Sequence, residues 1–280
     1  MASLPVRLIV YLAAVAACAA VPWLAANLYV RAVYDDPLGR WLASLLVAPI
    51  AMPVSAALSI LAYRGLVVRF ERRPPGELGR AAAVPELLRG AGLGLGLIAA
   101  VYAILALSGH ASYAGVHANR LPDLAVAAVL AAASSICEEI LFRGIVFRLV
   151  EQRFGAAVAL AVSTVLFGLA HAWNPEASAL SSAAIALEGG LLLGAAYMTT
   201  RRLWLPIGLH FGWNFGEGGL FGGAVSGEHA NGVLTIHLEG SALLTGGKFG
   251  PEASIVAVAV TLALAGLLGW RAMAPGKMAK

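Results

Sequence analysis

The sequence predicts an all-α polytopic membrane protein of about eight transmembrane helices, and three observations carry that reading. Hydrophobic residues make up 60% of the 280, with a mean hydropathy of +0.83, which is membrane rather than soluble composition. Charged residues amount to 12%, about half the roughly 25% of soluble domains, too few to coat a globule facing water. The apolar residues fall in stretches near the roughly 20 that one helix needs to cross a bilayer. These numbers exclude a disordered chain and a soluble enzyme.

Eight spans follow in order: Leu8 to Val30, Trp41 to Tyr63, Ala91 to Leu107, Asp123 to Phe147, Ala156 to Trp173, Leu180 to Thr200, Leu203 to Leu220 and Ala253 to Trp270. The third and fifth are short. The first begins after Arg7 and passes Val15-Ala16-Ala17-Cys18, which resembles a secretory signal with a lipoprotein box. Its apolarity runs on to Val30 without a polar mature segment, which predicts a retained helix.

Basic residues alternate between connections. Arg64, Arg69, Arg72, Arg73, Arg80 and Arg89 follow the second span, Arg148 and Arg153 end the fourth, Arg201 and Arg202 end the sixth, and Arg271, Lys277 and Lys280 end the chain. The other connections hold Arg31 and Arg40, then Arg120, then none, then Lys248. The positive-inside rule therefore predicts cytoplasmic termini. The net charge of +4 and pI near 9.3 are topology signals on this reading, and no nucleic-acid partner is expected. Sixteen Arg against three Lys, with abundant Ala and Gly, point to a bacterial plasma membrane.

Two units are expected: residues 1–122, holding the first three helices and a cytoplasmic basic loop at 64–90, and residues 123–280, holding helices four to eight. The stretch Arg69–Arg89 carries a Pro74-Pro75-Gly76 break and predicts a short surface helix over anionic headgroups. Loop 222–252, between helices seven and eight, is Gly-rich. Its Asn231-Gly232 turn followed by Val233 to Leu238 predicts a small outer β-hairpin. Gly92 with Gly96, and Gly190 with Gly194, have the spacing of close helix packing. Cys18 and Cys137 lie in apolar segments and are read as packing residues.

Ionisable groups inside a bilayer cost about 2.5–3.5 kcal/mol each on insertion scales, so their presence needs a reason. The fourth span holds Glu138, Glu139 and Arg143. Glu139 stands four residues before Arg143, the favourable order for an intrahelical ion pair, which leaves Glu138 as a free carboxylate able to act as a base. The fifth holds Phe167 and His171, and the seventh holds His210 and Asn214, four apart on one face. Glu217 falls on that same face, and Glu188 adds a further carboxylate in the sixth span.

The EExxxR of Glu138, Glu139 and Arg143, the FxxxH of Phe167 and His171, and the HxxxN of His210 and Asn214, in that order, resemble the CAAX prenyl protease type II family of intramembrane endopeptidases, also called CPBP or ABI. The resemblance covers about Asp123 to Glu252 and includes Arg202-Leu203-Trp204-Leu205-Pro206-Ile207 and Leu244-Thr245-Gly246-Gly247-Lys248-Phe249-Gly250-Pro251-Glu252. It makes 123–280 the protease core. What it implies is hydrolysis of peptide bonds in membrane-associated, hydrophobic or lipidated peptides, with the bilayer and such substrates as partners.

In that scheme Glu138, helped by His171, activates a water, and His210 with Asn214 stabilises the oxyanion. Glu139, Arg143 and Phe167 form the supporting layer, and no cofactor is required. A zinc ion on Glu138, His171 and His210 is the alternative, weakened by the absence of HExxH and because Asn is a poor ligand. A transporter using these groups as a proton relay and a catalytically idle scaffold are rivals from other classes. Depth arithmetic at 1.5 Å per residue puts Glu138 about 15 Å from Arg148 and His210 about 12 Å from Arg202. His171 comes out about 25 Å from Phe154, so either the fifth helix begins well outside the bilayer and tilts, or His171 lies deeper than its partners.

Overall fold

The computed structural model describes residues 3–32 and 48–273. Arg40, the beginning of the second span at Trp41, and Lys277 and Lys280 lie outside the described residues. The chain is an integral membrane protein built almost wholly of helices. Six helices are long and apolar enough to cross a membrane: Ile50–Glu71, Gly76–Leu107, Asp123–Phe154, Ala156–Trp173, Ala179–Thr200 and Ile255–Ala272.

Six of the eight expected spans are thus matched among the described residues, the second of them from Ile50. The first expected span lies on a helix that runs over Leu4–Ala32. The seventh consists of Trp204–Asn214 and Phe215–Leu220, 17 residues in all. Leu205 to His210, Gly212 and Trp213 are buried in protein, so this helix is short because its neighbours, not lipid, surround it.

The expected packing glycines are corrected. Gly92 and Gly96 face open space, whereas a Cβ at Gly90 would lie 2.4 Å from the Leu205 carbonyl oxygen and one at Gly94 would lie 2.0 Å from that of Leu209. From the other side, Gly208 and Gly212 meet the backbone of Leu87 and Ala91 at 2.3 and 2.1 Å. The third and seventh helices therefore touch backbone to backbone through two small-xxx-small pairs in register, the close approach that drives packing in lipid. This contact holds His210 between two glycines that admit no side chain. Gly190 and Gly194 do pack closely, on Thr164 and Leu160.

The loop at 64–90 is not a surface helix. The second span ends in a π turn, Val67–Glu71, and a left-handed Arg72; short 3-10 turns follow at Gly76–Leu78 and Arg80–Ala82, and the helix of the third span begins at Ala83. Its carboxylates and Arg73 are paired, while Arg64, Arg69, Arg72, Arg80 and Arg89 are exposed. Arg148 donates to both oxygens of Glu71 at 2.7 and 2.8 Å, and Arg73 bonds Glu71 and Glu77. Glu77 accepts the backbone N–H of Leu203 at its carbonyl, and Trp204 Nε1 donates to the Gly79 carbonyl. Burial of Glu77 and Arg148 is tolerated because each is paired, and these contacts tie the stretch to the fourth and seventh spans.

The expected hairpin in loop 222–252 is also corrected. Strand β1, Ala111–Val116, and strand β2, Leu234–Leu238, pair antiparallel with Ser112 opposite His237 and Tyr113 opposite Ile236. The strand is legible after Asn231-Gly232, but the residues before that turn are glycine-rich and offer one β-former, Val225, which bridges only to Glu228. The partner comes from the connection between the third and fourth spans. Two loops predicted to share one side of the membrane are thereby joined.

Candidate active site

Glu138 and Glu139 close the regular helix Leu121–Glu139, and a π turn, Ile140–Phe147, follows at once. Such turns widen the helix and recur at functional sites. Two of the other π turns, over Ala186–Leu191 and Phe215–Leu220, hold Glu188 and Glu217.

Glu139 and Arg143 are both fully buried and form the expected ion pair, Nη1 to Oε1 2.8 Å. The other amino group of Arg143 donates to the carbonyls of Gly189 and Gly190 at 3.1 and 2.9 Å, where the π turn frees them. The guanidinium lies 4.7 Å from the centre of the Phe167 ring, a cation–π contact. Phe167 in turn stacks on His171, centroids 4.8 Å apart. The supporting layer expected from the sequence is thus one continuous contact chain from the fourth span to the fifth and sixth.

The histidines are oriented by what their Nδ1 atoms touch. His171 Nδ1 lies 2.8 Å from the Phe167 carbonyl; a carbonyl can only accept, so Nδ1 carries the proton. His210 Nδ1 lies 3.1 Å from Glu139 Oε1 and donates by the same logic. Both Nε2 atoms then face Glu138, whose Oε2 is 3.8 Å from His171 and 3.9 Å from His210. That oxygen has no hydrogen-bond partner. Glu138 is the member of the glutamate pair left free, and three polar atoms from three spans converge on one point.

The expected depth mismatch of His171 disappears. The fourth span continues as helix to Phe154, 16 residues beyond Glu138, and His171 lies 17 residues after Phe154. At 1.5 Å per residue the chain rises about 24 Å and returns about 25 Å. Taking Arg148 as the edge was the error, since Arg148 is buried against Glu71 and marks no boundary.

A cleft opens beside this point, lined on its polar side by His171, His210, Asn214, Glu188, Ser226 and Glu252 and on its apolar side by residues including Phe167, Leu193, Leu209 and Trp213; Glu138 is not among its lining residues. Asn214 shares the cleft with His210, as the four-residue spacing predicts. Glu217 does not line it. It accepts the Trp213 indole N–H at 3.1 Å and the Glu252 backbone N–H at 3.2 Å, fastening the returning loop to the seventh helix. Glu252 accepts the backbone N–H of Ser226, and Asn174 Nδ2 donates to the Ser226 carbonyl at 3.0 Å. Ser226 and Glu252 were not singled out in the sequence; the one available signal was a lone carboxylate at the mouth of the last apolar run.

The donor set of two imidazoles and a carboxylate has the chemistry of a hydrolytic zinc site. Among the described residues, however, no three His, Cys, Asp or Glu side chains are arranged to hold a metal ion. Ligands about 2 Å from a tetrahedral zinc stand roughly 3.3 Å apart, closer than the separations found from Glu138.

No curated protein and no solved structure matches the chain. Residues 119–216, from before Glu138 to beyond Asn214, are similar to the family model described as "Type II CAAX prenyl endopeptidase Rce1-like", a match that takes in the candidate site and leaves the larger part of the chain outside it.

Proposed function

We propose that this protein is an intramembrane endopeptidase that hydrolyses a peptide bond in a hydrophobic or lipidated membrane peptide, with Glu138 as the general base. The convergence of Glu138 Oε2 with the Nε2 atoms of His171 and His210 carries this reading. At 3.8 and 3.9 Å the groups are too far apart to bond one another, so all three are available to a water. Glu138 takes a proton from that water as it attacks the scissile carbonyl, and returns it to the leaving amine. His171, its Nδ1 proton fixed on Phe167, offers a lone pair that orients the water.

The oxyanion needs donors in a site of low dielectric. Asn214 supplies an amide N–H. His210 must donate from Nε2, and because Nδ1 already donates to Glu139 this requires the imidazolium. Glu139, held by Arg143, is placed to balance that charge. The supporting layer is thus chemical as well as mechanical: it sets which histidine donates and which accepts.

The second reading, a metal-dependent hydrolase on Glu138, His171 and His210, is favoured by one observation. Both histidines tie Nδ1 to an acceptor and leave Nε2 free, the habit of zinc ligands. The separations stand against it.

The test is the rate of a single turnover with Asn214→Ala. Loss of one oxyanion donor lowers the chemical rate about 100- to 1,000-fold with peptide affinity unchanged. Weakened binding with an unchanged chemical rate would remove Asn214 from the transition state.

A further inference from the structure

Five carboxylates approach the cleft, and their partners separate them. Glu138 and Glu139 belong to the cluster described above. Glu217 accepts from the Trp213 indole and the Glu252 backbone N–H, and Glu252 accepts from the Ser226 backbone N–H. Glu188 has neither a hydrogen-bond donor nor a cation within bonding distance among the described residues, and unlike Glu138 it faces no imidazole within 4 Å. It is 6% exposed and lines the cleft. Arg143, a cation close enough to act on Glu188, is committed to Glu139 and to the Gly189 and Gly190 carbonyls.

The surroundings of Glu188 have a definite shape. Ile185, Glu188 and Leu192 stand three and four residues apart, and all three line the cleft. The π turn over Ala186–Leu191 brings the carboxylate to the wall without breaking that face. A ligand in this cleft meets the apolar Ile185 and Leu192 with the Glu188 carboxylate beside them. That is the complement of a lysine or arginine side chain, whose methylene stem packs on apolar surface while its head seeks an acceptor. An inorganic cation fits poorly, since calcium and magnesium need six or more oxygen ligands and the neighbouring Glu252 is turned to Ser226.

We infer that Glu188 is a specificity-determining residue that binds the basic side chain of a substrate lysine or arginine placed within a few residues of the scissile bond. The inference rests on the proteolytic reading above, because it makes Glu188 a wall of the same cleft. Substrate binding removes the penalty of an unpaired buried carboxylate, and the preference it confers is that of one charge-assisted hydrogen bond, about tenfold to a hundredfold.

The experiment uses the full-length protein in liposomes and pairs of hydrophobic peptides that differ only in carrying lysine or norleucine at each position flanking the cleaved bond. Two readouts are taken: hydrolysis by the wild-type protein, and equilibrium binding to Glu138→Gln protein. The expected result is a lysine-to-norleucine ratio of at least about tenfold at one position in both readouts. That ratio falls to near one when Glu188→Gln is added and persists in Glu188→Asp, which keeps the charge. Hydrolysis without a lysine preference, or a preference that Glu188→Gln leaves intact, overturns the inference and spares the proteolytic reading. A preference in Glu188→Gln for peptides with an extra backbone carbonyl acceptor, and none for lysine in the wild type, would assign Glu188 to a neutral hydrogen bond instead and likewise overturns it. Absence of hydrolysis would count against the protease, while the binding ratio alone would still decide for or against the lysine subsite.

Discussion

Glu139 accepts a hydrogen bond from His210 across 71 positions of sequence, Nδ1 to Oε1 3.1 Å, from the same oxygen that accepts Arg143 at 2.8 Å. One carboxylate thus joins the fourth span to the seventh and fixes a proton on a histidine of the cleft.

This shared oxygen predicts coupling. Arg143→Met leaves Glu139 buried with His210 as its remaining partner and removes the donor to two carbonyls, costing about 3–5 kcal/mol of stability. Glu139→Gln/Arg143→Met should cost clearly less than the two single changes summed. Thermal unfolding of the four proteins in detergent measures the coupling, and strict additivity would mean that the pair is not the unit described here.

The small-residue contact predicts a register. Gly94→Ala forces a methyl into the Leu209 carbonyl, and Gly208→Ala does the same to Leu87; each should lower stability by about 1–3 kcal/mol, the cost of overpacking, with loss of activity as His210 shifts. Gly92→Ala, facing open space, should be nearly neutral. Equal melting temperatures for Gly92→Ala and Gly94→Ala would refute the packing.

Charges in the fourth span are legible from the sequence because the bilayer makes them expensive, and the i,i+4 spacing of Glu139 and Arg143 identifies their pairing. That Glu139 also meets His210 is not legible, since spacing within one helix says nothing about which helix lies opposite. The same limit explains β2. Its alternation and turn residues name a strand, but its partner, β1, lies more than a hundred residues earlier and is fixed only by how the spans assemble. Gly92 and Gly96 have the same spacing as Gly90 and Gly94, and only the seventh helix distinguishes them. Glu188 and Glu217 look alike in sequence as lone intramembrane carboxylates; their partners make one a wall of the cleft and the other a fastening for the loop.

The strand pairing predicts a crosslink. Cysteines placed at Ser112 and His237, which face each other across β1 and β2, should form a disulfide on mild oxidation in membranes, seen as a mobility shift reversed by reductant. Failure to crosslink, with a bond forming instead between two cysteines inside 222–252, would restore the hairpin.

Topology is tested by labelling. We place both termini in the cytoplasm, so a cysteine at Gly76 should react only from the cytoplasmic side and one at Ala230 only from the outside. The paired loops at 111–116 and 234–238 require position 230 and position 112 to label together. Labelling of Gly76 and Ala230 positions from one side would contradict the arrangement.

The central claim, that Glu138 and not a metal activates water for peptide hydrolysis, is tested most directly by the turnover of a hydrophobic peptide in liposomes by exhaustively chelated protein, with Glu138→Gln alongside and the metal content of both measured. Full activity in the metal-free wild-type protein, with none in Glu138→Gln of unchanged melting temperature, is the predicted result. Activity that vanishes on chelation and returns with stoichiometric zinc would contradict it.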